Sequence, residues 1–474
     1  MARVDQFAPE LLIEIERGNG TPLRGQIEGE LREAVRGGRL RAGTALPSTR
    51  AVARRLGVSR GVVVEAYAQL AAEGYLSARQ GAPTRVAPVS GTNGAARPAG
   101  ASTPPPPPAP PRYDLRASVP DLAAFPRRDW LAAERRALAA LPHAALDYPD
   151  MRGAPELRGA LAGYLGRARG LVAAPEAIVI TSGTLQSVGL LASVLRARGI
   201  DRIAMEQPGF HIHRALLQRR GLTTVPVPVD ADGMIVDRLE RSGARAVLVT
   251  PAHQMPLGAV LAPERRAALL DWAERHDALV VEDDYDGEYR YDREPVGALQ
   301  GLAPERVAYL GSASKALAPA LRIGWIVLPA WLGDEVAEEK GWADAGSALL
   351  GQVALADMIE RGELDRHLRR VRASYRRRRD LLVAALERLF PGVRVLGVAA
   401  GLHVAVQPRE AVDERALVRR AAERGVALYA FRDRAATPPA STLLLGYANL
   451  PEPSIEPALR ELRAAYLNAA PRRP

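Results

Sequence analysis

From about residue 113 onward, short apolar runs alternate with amphipathic stretches in which apolar positions recur every three or four residues. The runs 178–181, 202–205, 223–229, 246–250, 279–283, 307–310 and 323–327 predict strands, and 263–276 predicts one of the helices between them. Apolar strands separated by helices imply a mainly parallel sheet covered on both faces. Beyond about 340 the pattern changes to long arginine-rich helices and a few short strands, which predicts a smaller α/β lobe. Near the N-terminus the periodicity predicts a helix over 22–36 and a second over 49–56, with Ser48 as its N-cap. Gly57-Val58 then makes a tight turn into a third helix over 59–73, and 75–86 reads as a two-stranded wing turning near Gly81. Two short helices joined by a glycine-containing turn are a helix-turn-helix signature.

Between these regions, residues 88–112 are rich in Ala, Gly, Ser and Pro and contain Thr103 followed by five prolines. Such a tract cannot build a core and reads as part coil, part polyproline II. The expected organisation is a DNA-binding domain over 1–87, a linker over 88–112 and a large α/β domain over 113–474. That last domain is expected to divide into a large lobe of about 145–335 and a small lobe of about 340–474.

Composition narrows the class. No apolar run reaches the roughly 18 residues of a membrane span, and residues 1–20 lack the apolar region of a secretion signal. The chain has no cysteine, which excludes disulfides, thiol catalysis and thiolate zinc sites. A cytoplasmic protein without membrane contact is expected. Histidines 143, 276, 367 and 403 show no metal-ligand spacing, so no metal is expected.

The net charge of +10 suits a polyanionic partner. Between Gly38 and Arg85 stand eight arginines (39, 41, 50, 54, 55, 60, 79, 85) against Glu65 and Glu73. Arg50 and Arg60 fall near the starts of the two helices that a docked helix-turn-helix presents to phosphates and base edges. A second run, 369–379, holds seven arginines and reads as a solvated helix face in preference to a second DNA surface.

Of the 64 basic residues, only Lys315 and Lys340 are lysine. Where a generic positive charge serves, this chain uses arginine, so a lysine marks a place that needs a primary amine. A guanidinium forms no Schiff base, whereas a buried ammonium can lose its proton. Lys315 follows a predicted strand among small residues, with Ser312 and Ser314 before it and Arg322 after it. This is what a phosphorylated aldehyde cofactor requires: an amine for the imine, with hydroxyls and a guanidinium for the phosphate. The strand 279–283 ends in acids at the carboxyl edge, where α/β sheets place ligands. Asp283 or Asp284 can hold a pyridinium nitrogen there, and Tyr285 can meet a ring hydroxyl. Ser182-Gly183-Thr184 runs from a strand into a helix, whose free amides can cradle phosphate.

Residues 22–86, PLRGQIEGELREAVRGGRLRAGTALPSTRAVARRLGVSRGVVVEAYAQLAAEGYLSARQGAPTRV, resemble the winged helix-turn-helix of the GntR family. The resemblance implies DNA contacts at Arg50, Ser59, Arg60, Gln80 and Gly81. One departure is Gly61-Val62-Val63-Val64, which leaves the recognition helix few groups for hydrogen bonding to bases.

The stretches VTPAHQMPLGAVLAPERRAALLDWA, VVEDDYDGEYRY, YLGSASKALAPALRIGWIVLP and HLRRVRASYRRRRDLL resemble the fold-type-I aminotransferases, specifically the MocR/GabR-type regulators. That implies pyridoxal 5'-phosphate as cofactor, with Lys315 as the internal-aldimine lysine, Asp283 at the pyridinium nitrogen and Tyr285 at the ring hydroxyl. Ser182, Gly183, Thr184, Ser312 and Arg322 would surround the phosphate, and Phe210 would lie beside the ring. Tyr148 matches a tyrosine lent to the partner subunit's phosphate, which implies a homodimer. The chain departs from the family's enzymes in three places. His253-Gln254 stands where they carry asparagine, and either residue can substitute. Leu443-Leu444-Leu445 carries no arginine for a substrate carboxylate, and Ile212 stands where GABA-sensing relatives have another. The expected function is a regulator that binds an operator in double-stranded DNA and senses pyridoxal phosphate or an amine, without enzymatic turnover as its purpose. The alternative is an active aminotransferase with an accessory DNA-binding domain.

Overall fold

The structure is a computed structural model that describes residues 13, 15–18, 20–79, 82–88, 110–291, 296–410, 412–430 and 442–469. Gln80, Gly81 and most of the proline-rich tract lie outside the described residues. The chain divides between Ala109 and Pro110 into two compact units.

The first unit opens with α1 (Leu23–Arg36), which buries Ile27, Leu31, Ala34 and Val35 along one stripe. Helix α2 (Thr49–Leu56) starts as the sequence predicts, with Ser48 Oγ accepting from the Ala51 amide, and ends at Gly57 in the left-handed region at φ 64°. A glycine adopts that conformation without the Cβ penalty, so the chain turns at once into the next helix. Ser59 caps α3 (Arg60–Ala72), whose buried stripe is Val63, Ala66, Tyr67 and Leu70. The antiparallel strands β1 (Leu76–Ser77) and β2 (Arg85–Val86) form the wing, pairing Leu76 with Val86 and adding both to the core. This is the winged helix that the periodicity predicts.

The second unit begins with the short strand β3 (Tyr113–Asp114) and the helices α4 (Arg127–Ala140) and α5 (Pro155–Arg169). Then come β4 (Ile178–Thr181), α6 (Thr184–Ala197), β5 (Arg202–Gln207), α7 (His211–Arg219), β6 (Thr223–Asp230), β7 (Gly233–Met234) and β8 (Ala246–Val249). Helix α8 (Pro263–Arg275), β9 (Leu279–Asp283), β10 (Val307–Ser312), the short α9 (Ala313–Ala316) and β11 (Gly324–Val327) complete the large lobe. Its eight-stranded sheet runs in the order β4-β11-β10-β9-β8-β5-β6-β7. The strands are parallel except β11, which reverses between β4 and β10, and the edge strand β7. Strands β4, β8, β9 and β11 are buried along their whole length, which is why they read as mainly apolar runs, with β9 ending in the buried acids Glu282 and Asp283.

Helices α10 (Gly333–Asp344), α11 (Leu349–Glu360) and α12 (Glu363–Leu389) lead to the small lobe. There β12 (Arg394–Leu396), β13 (His403–Gln407), α13 (Glu414–Glu423), β14 (Val426–Ala427), β15 (Leu443–Gly446) and α14 (Ile455–Ala469) surround an antiparallel β12-β13-β15 sheet. The segment opening the unit belongs structurally to this lobe: β3 pairs with β14, and Gly446 N–H donates to Leu115 O. That pairing carries residues 115–118 back toward the large sheet. The arginine run lies within α12, and part of it is turned inward: Arg372 donates to Glu288 O and Arg378 to Ala448 O and Asp121, whereas Arg377, exposed, pairs with Glu452.

Candidate functional site

In the first unit, Arg50, Arg54, Arg55, Ser59, Arg60, Arg79 and Arg85 are all exposed. Arg50, Arg54, Arg55, Arg60 and Arg79 make no ion pair with the described residues, so their charge is available to an outside polyanion. The exposed residues of α3 include Arg60, Gly61, Val64, Glu65, Ala68 and Gln69, and along the line of Arg60 the next positions, Val64 and Ala68, present alkyl groups.

In the second unit, parallel strands end together at their carboxyl edge, and a cavity of about 220 Å³ opens there. Its lining includes Thr184, Phe210, Asp283, Tyr285, Ser312, Lys315 and Arg322, which lie far apart in sequence. Ser182 and Gly183 form the loop behind Thr184. A Cβ at Gly183, where φ is 109°, would stand 3.2 Å from the Arg322 guanidinium, so the loop backbone approaches that group closely. Arg322 makes no ion pair among the described residues, and α6 leaves its first-turn amides without partners inside the helix. A guanidinium, hydroxyls and free amides at one end of a cavity fit a phosphate.

At the other end stands Asp283, 2% exposed, with neither carboxylate oxygen hydrogen-bonded. Burial pushes its carboxyl well above the usual range, and the neighbouring Asp284, Asp286 and Glu206 add to the shift. Its near neighbour is His213 Nδ1 at 3.6 Å from Oδ2, and burial pushes that imidazole down to about 4. A neutral imidazole cannot compensate a carboxylate. Lys315 pulls the other way but makes no hydrogen bond to Asp283, so both oxygens are open to a donor such as a protonated ring nitrogen. Asp284 faces the opposite side of β9, where Arg169 Nε donates to it at 2.7 Å and Tyr309 Oη at 2.7 Å. The strand geometry thus separates the two acids that sequence reading leaves as alternatives.

Lys315 Nζ donates to Ser118 O at 2.7 Å, and burial lowers the ammonium pKa against the opposing pull of Asp286 and Asp283. Phe210 meets Tyr285 edge-on, ring centroids 5.3 Å apart. Tyr285 Oη lies 3.0 Å from His253 Nδ1, which lies 2.9 Å from Asp286 Oδ2. Gln254 turns away, donating to Pro208 O and Met255 O. Tyr148 does not join this cavity; it is 84% exposed on the same unit. Ser118, His213 and Asp286 were not anticipated. His213 carried a signal, standing three residues after Phe210 and so on the same helix face. Ser118, 197 residues from Lys315, carried none. A second cavity, about 240 Å³, shares Ser118 and Phe210 with the first and is lined further by Ile212, Met255, Pro256, Tyr429 and Leu444.

Residues 114–462 match the aminotransferase class I and II family, and residues 23–86 match the bacterial regulatory proteins of the gntR family. The chain is 35% identical over 480 residues to the probable rhizopine catabolism regulatory protein MocR of Rhizobium meliloti, covering 96% of each chain. It belongs to the MocR/GabR-type regulators. It is also 35% identical over 398 residues to the pyridoxine biosynthesis transcriptional regulator PdxR of Corynebacterium glutamicum, covering 83% of this chain and 85% of that one. Among solved structures, an archaeal alanine:glyoxylate aminotransferase superposes with a TM-score of 0.70 at 26% identity, covering 75% of this chain and 91% of that one. The α-aminoadipate aminotransferase LysN of Thermus thermophilus, complexed with N-(5'-phosphopyridoxyl)-L-leucine, gives 0.68 at 27% identity, covering 75% and 92%. This MocR-type chain is thus a DNA-binding transcription regulator whose larger unit has the fold of a pyridoxal-phosphate-binding family. The regulator reading stands ahead of the enzyme reading because its near full-length relatives carry the helix-turn-helix.

Proposed function

We propose that this regulator holds pyridoxal 5'-phosphate on Lys315 and that its operator binding responds to the cofactor itself, or to an amine lacking a carboxylate. The observation that carries the reading is the buried, partnerless Asp283 in the same cavity as Lys315 and the unpaired Arg322. The cofactor supplies an aldehyde that amines capture reversibly and a ring nitrogen that a carboxylate keeps protonated. The residues do the rest. Lys315, its pKa lowered by burial, presents an amine more readily than an exposed lysine does. Arg322, Ser312 and the Ser182-Gly183-Thr184 loop hold the phosphate, Phe210 flanks the ring, and Tyr285 with His253 faces the ring hydroxyl. Tyr148, exposed on one chain, reaches the phosphate of a second copy in a homodimer.

The second cavity favours the choice of signal. Ile212 and Leu444, at the two positions where relatives carry carboxylate-binding arginines, both line it. A buried carboxylate without a guanidinium bears a large desolvation cost. The experiment is to measure operator affinity for the apo protein, the cofactor-loaded protein and the loaded protein with a panel of amines and amino acids. A change on adding cofactor, or a carboxylate-free amine, is the expected result. Equal affinity of a ligand for both functional states would shift nothing, and indifference to every addition would overturn the reading.

A further inference from the structure

The second lysine is also buried. Lys340 lies on α10, 0% exposed, and its Nζ donates to both oxygens of Asp344, at 2.8 and 2.9 Å. Asp344 Oδ2 accepts from Gln186 Nε2 at 2.7 Å, and Gln186 Oε1 accepts from the Ser182 amide at 2.7 Å. The Gly346 amide completes the set, donating to Asp344 Oδ1 at 2.9 Å. An unbroken polar chain therefore runs from the ammonium of Lys340 to the backbone of the loop that precedes α6. Each link has one polarity: the ammonium fixes the carboxylate, the carboxylate fixes which end of the Gln186 amide faces it, and the amide oxygen then fixes the Ser182 N–H.

A merely stabilising ion pair is a poor explanation. Burying an ammonium costs several kcal/mol, and its pairing with Asp344, 23% exposed, returns little more than that cost. In a chain with 62 arginines, a guanidinium was the readily used cation, yet this position holds a compact amine. Positioning explains both facts. With the Ser182 amide turned toward Gln186, the amides that follow it, at the start of α6, are left to the cavity, on the same side as the Arg322 guanidinium. The far end of the network packs on the segment 149–151. A Cβ at Gly346 would stand 2.6 Å from Pro149, and one at Gly341 3.4 Å from Met151, on the segment that follows Tyr148.

We propose that Lys340, Asp344 and Gln186 are positioning residues that set the Ser182-Gly183-Thr184 loop for the phosphate of the cofactor. This rests on the reading that pyridoxal phosphate binds at Lys315. Burial raises the Asp344 carboxyl, but the hydrogen bonds from Lys340, Gln186 and Gly346 outweigh it and hold the pKa below its usual value, so Asp344 stays a carboxylate at neutral pH.

The test compares pyridoxal phosphate with pyridoxal, which has the same aldehyde and ring but no phosphate. Both are titrated by absorbance into the full chain and into Gln186→Met, Lys340→Met and Asp344→Asn variants. Gln186 is half-buried and outside the ion pair, so its variant tests the idea even where a Lys340 variant fails to fold. The expected result is a roughly tenfold loss of affinity for pyridoxal phosphate in Gln186→Met, with pyridoxal unchanged within about twofold. Equal losses for both aldehydes would mean a structural tie only, and no loss for either would mean no influence on the loop; each outcome overturns the proposal. A wild-type chain that captures neither aldehyde would overturn the underlying cofactor reading instead.

Discussion

Arg169 donates from Nε to Asp284 at 2.7 Å with both side chains 1% exposed, while Asp283, one residue earlier, has no hydrogen-bond partner. Two adjacent acids, at the end of β9 and just beyond it, thus have opposite standing, one compensated inside the protein and one without a hydrogen-bond partner. Asp284→Asn leaves a buried guanidinium uncompensated, so it is expected to destabilise the apo protein by about 3–5 kcal/mol. Asp283→Asn replaces a buried carboxyl that has no hydrogen-bond partner and whose ionisation burial disfavours, so the apo protein should keep or gain stability while its cofactor affinity falls. Denaturant unfolding of both variants, with and without pyridoxal phosphate, checks the contrast. Equal destabilisation by the two would contradict the assignment.

That contrast was within reach of the sequence, because successive residues of a strand face opposite sides; which side faced the ligand was not. The large-lobe strands were legible because burial on both faces leaves only apolar residues, as in Leu279-Val280-Val281. Their ends were less so: β5 continues through Glu206 and Gln207, polar residues whose burial comes from neighbouring loops. The site was legible where local motifs carry it, at Lys315, Arg322 and the 182–184 loop. Ser118 was hidden because it reaches Lys315 only through the β3–β14 pairing, which joins chain segments more than 300 residues apart.

Lys315→Ala should abolish the visible absorbance of protein loaded with pyridoxal phosphate, because no amine in the cavity replaces it. Lys340→Met should keep that absorbance at saturating cofactor, since Lys340 lies outside the cavity lining. Loss of colour in the Lys340 variant alone, at saturation, would reverse the two assignments.

Acid should weaken the second unit through His213. Its folded pKa, about 4, lies below the ordinary value of 6.5, because burial disfavours the charged ring. Between those values the unfolded chain takes up a proton that the folded chain refuses, so stability falls with pH. This contribution is complete above pH 6.5 and lost progressively toward pH 4. Thermal unfolding across that range should show a shallower acid slope for His213→Leu than for the wild type. An unchanged slope would show that His213 is not held neutral.

Operator binding should weaken steeply with salt, because exposed arginines of the first unit release counterions from DNA. Arg60→Ala should cost about 1–3 kcal/mol and relax preference at one base pair if it reads a base edge. Arg50→Ala should weaken all sequences alike if it meets phosphate only. Val64 and Ala68 offer methyl groups but no hydrogen bonds, so the α3 face should prefer thymine methyls. Binding to uracil-substituted operators checks this; equal affinity for thymine and uracil at every position would exclude a methyl contact.

The last expectation concerns the signal. On the proposed reading an amine of any kind can react with a cofactor held at Lys315, so discrimination must come from whatever holds the rest of the molecule. Beside that position the cavity presents Ile212, Met255, Pro256 and Leu444, and no guanidinium among its described lining residues. An α-amino acid entering there would bury its carboxylate without a guanidinium to pair it, leaving only His211 and Tyr429 as polar lining side chains besides Ser118, and a loss of a few kcal/mol is a hundredfold or more in affinity. Standard α-amino acids should therefore leave the operator affinity of the loaded protein unchanged. Leu444→Arg, placing a guanidinium on the cavity wall, should create a response to an α-amino acid that the wild type lacks. The decisive measurement is operator affinity with and without alanine or glutamate for both proteins. A tenfold response in the wild type, about 1.4 kcal/mol of coupling, would require a carboxylate anchor elsewhere in the chain.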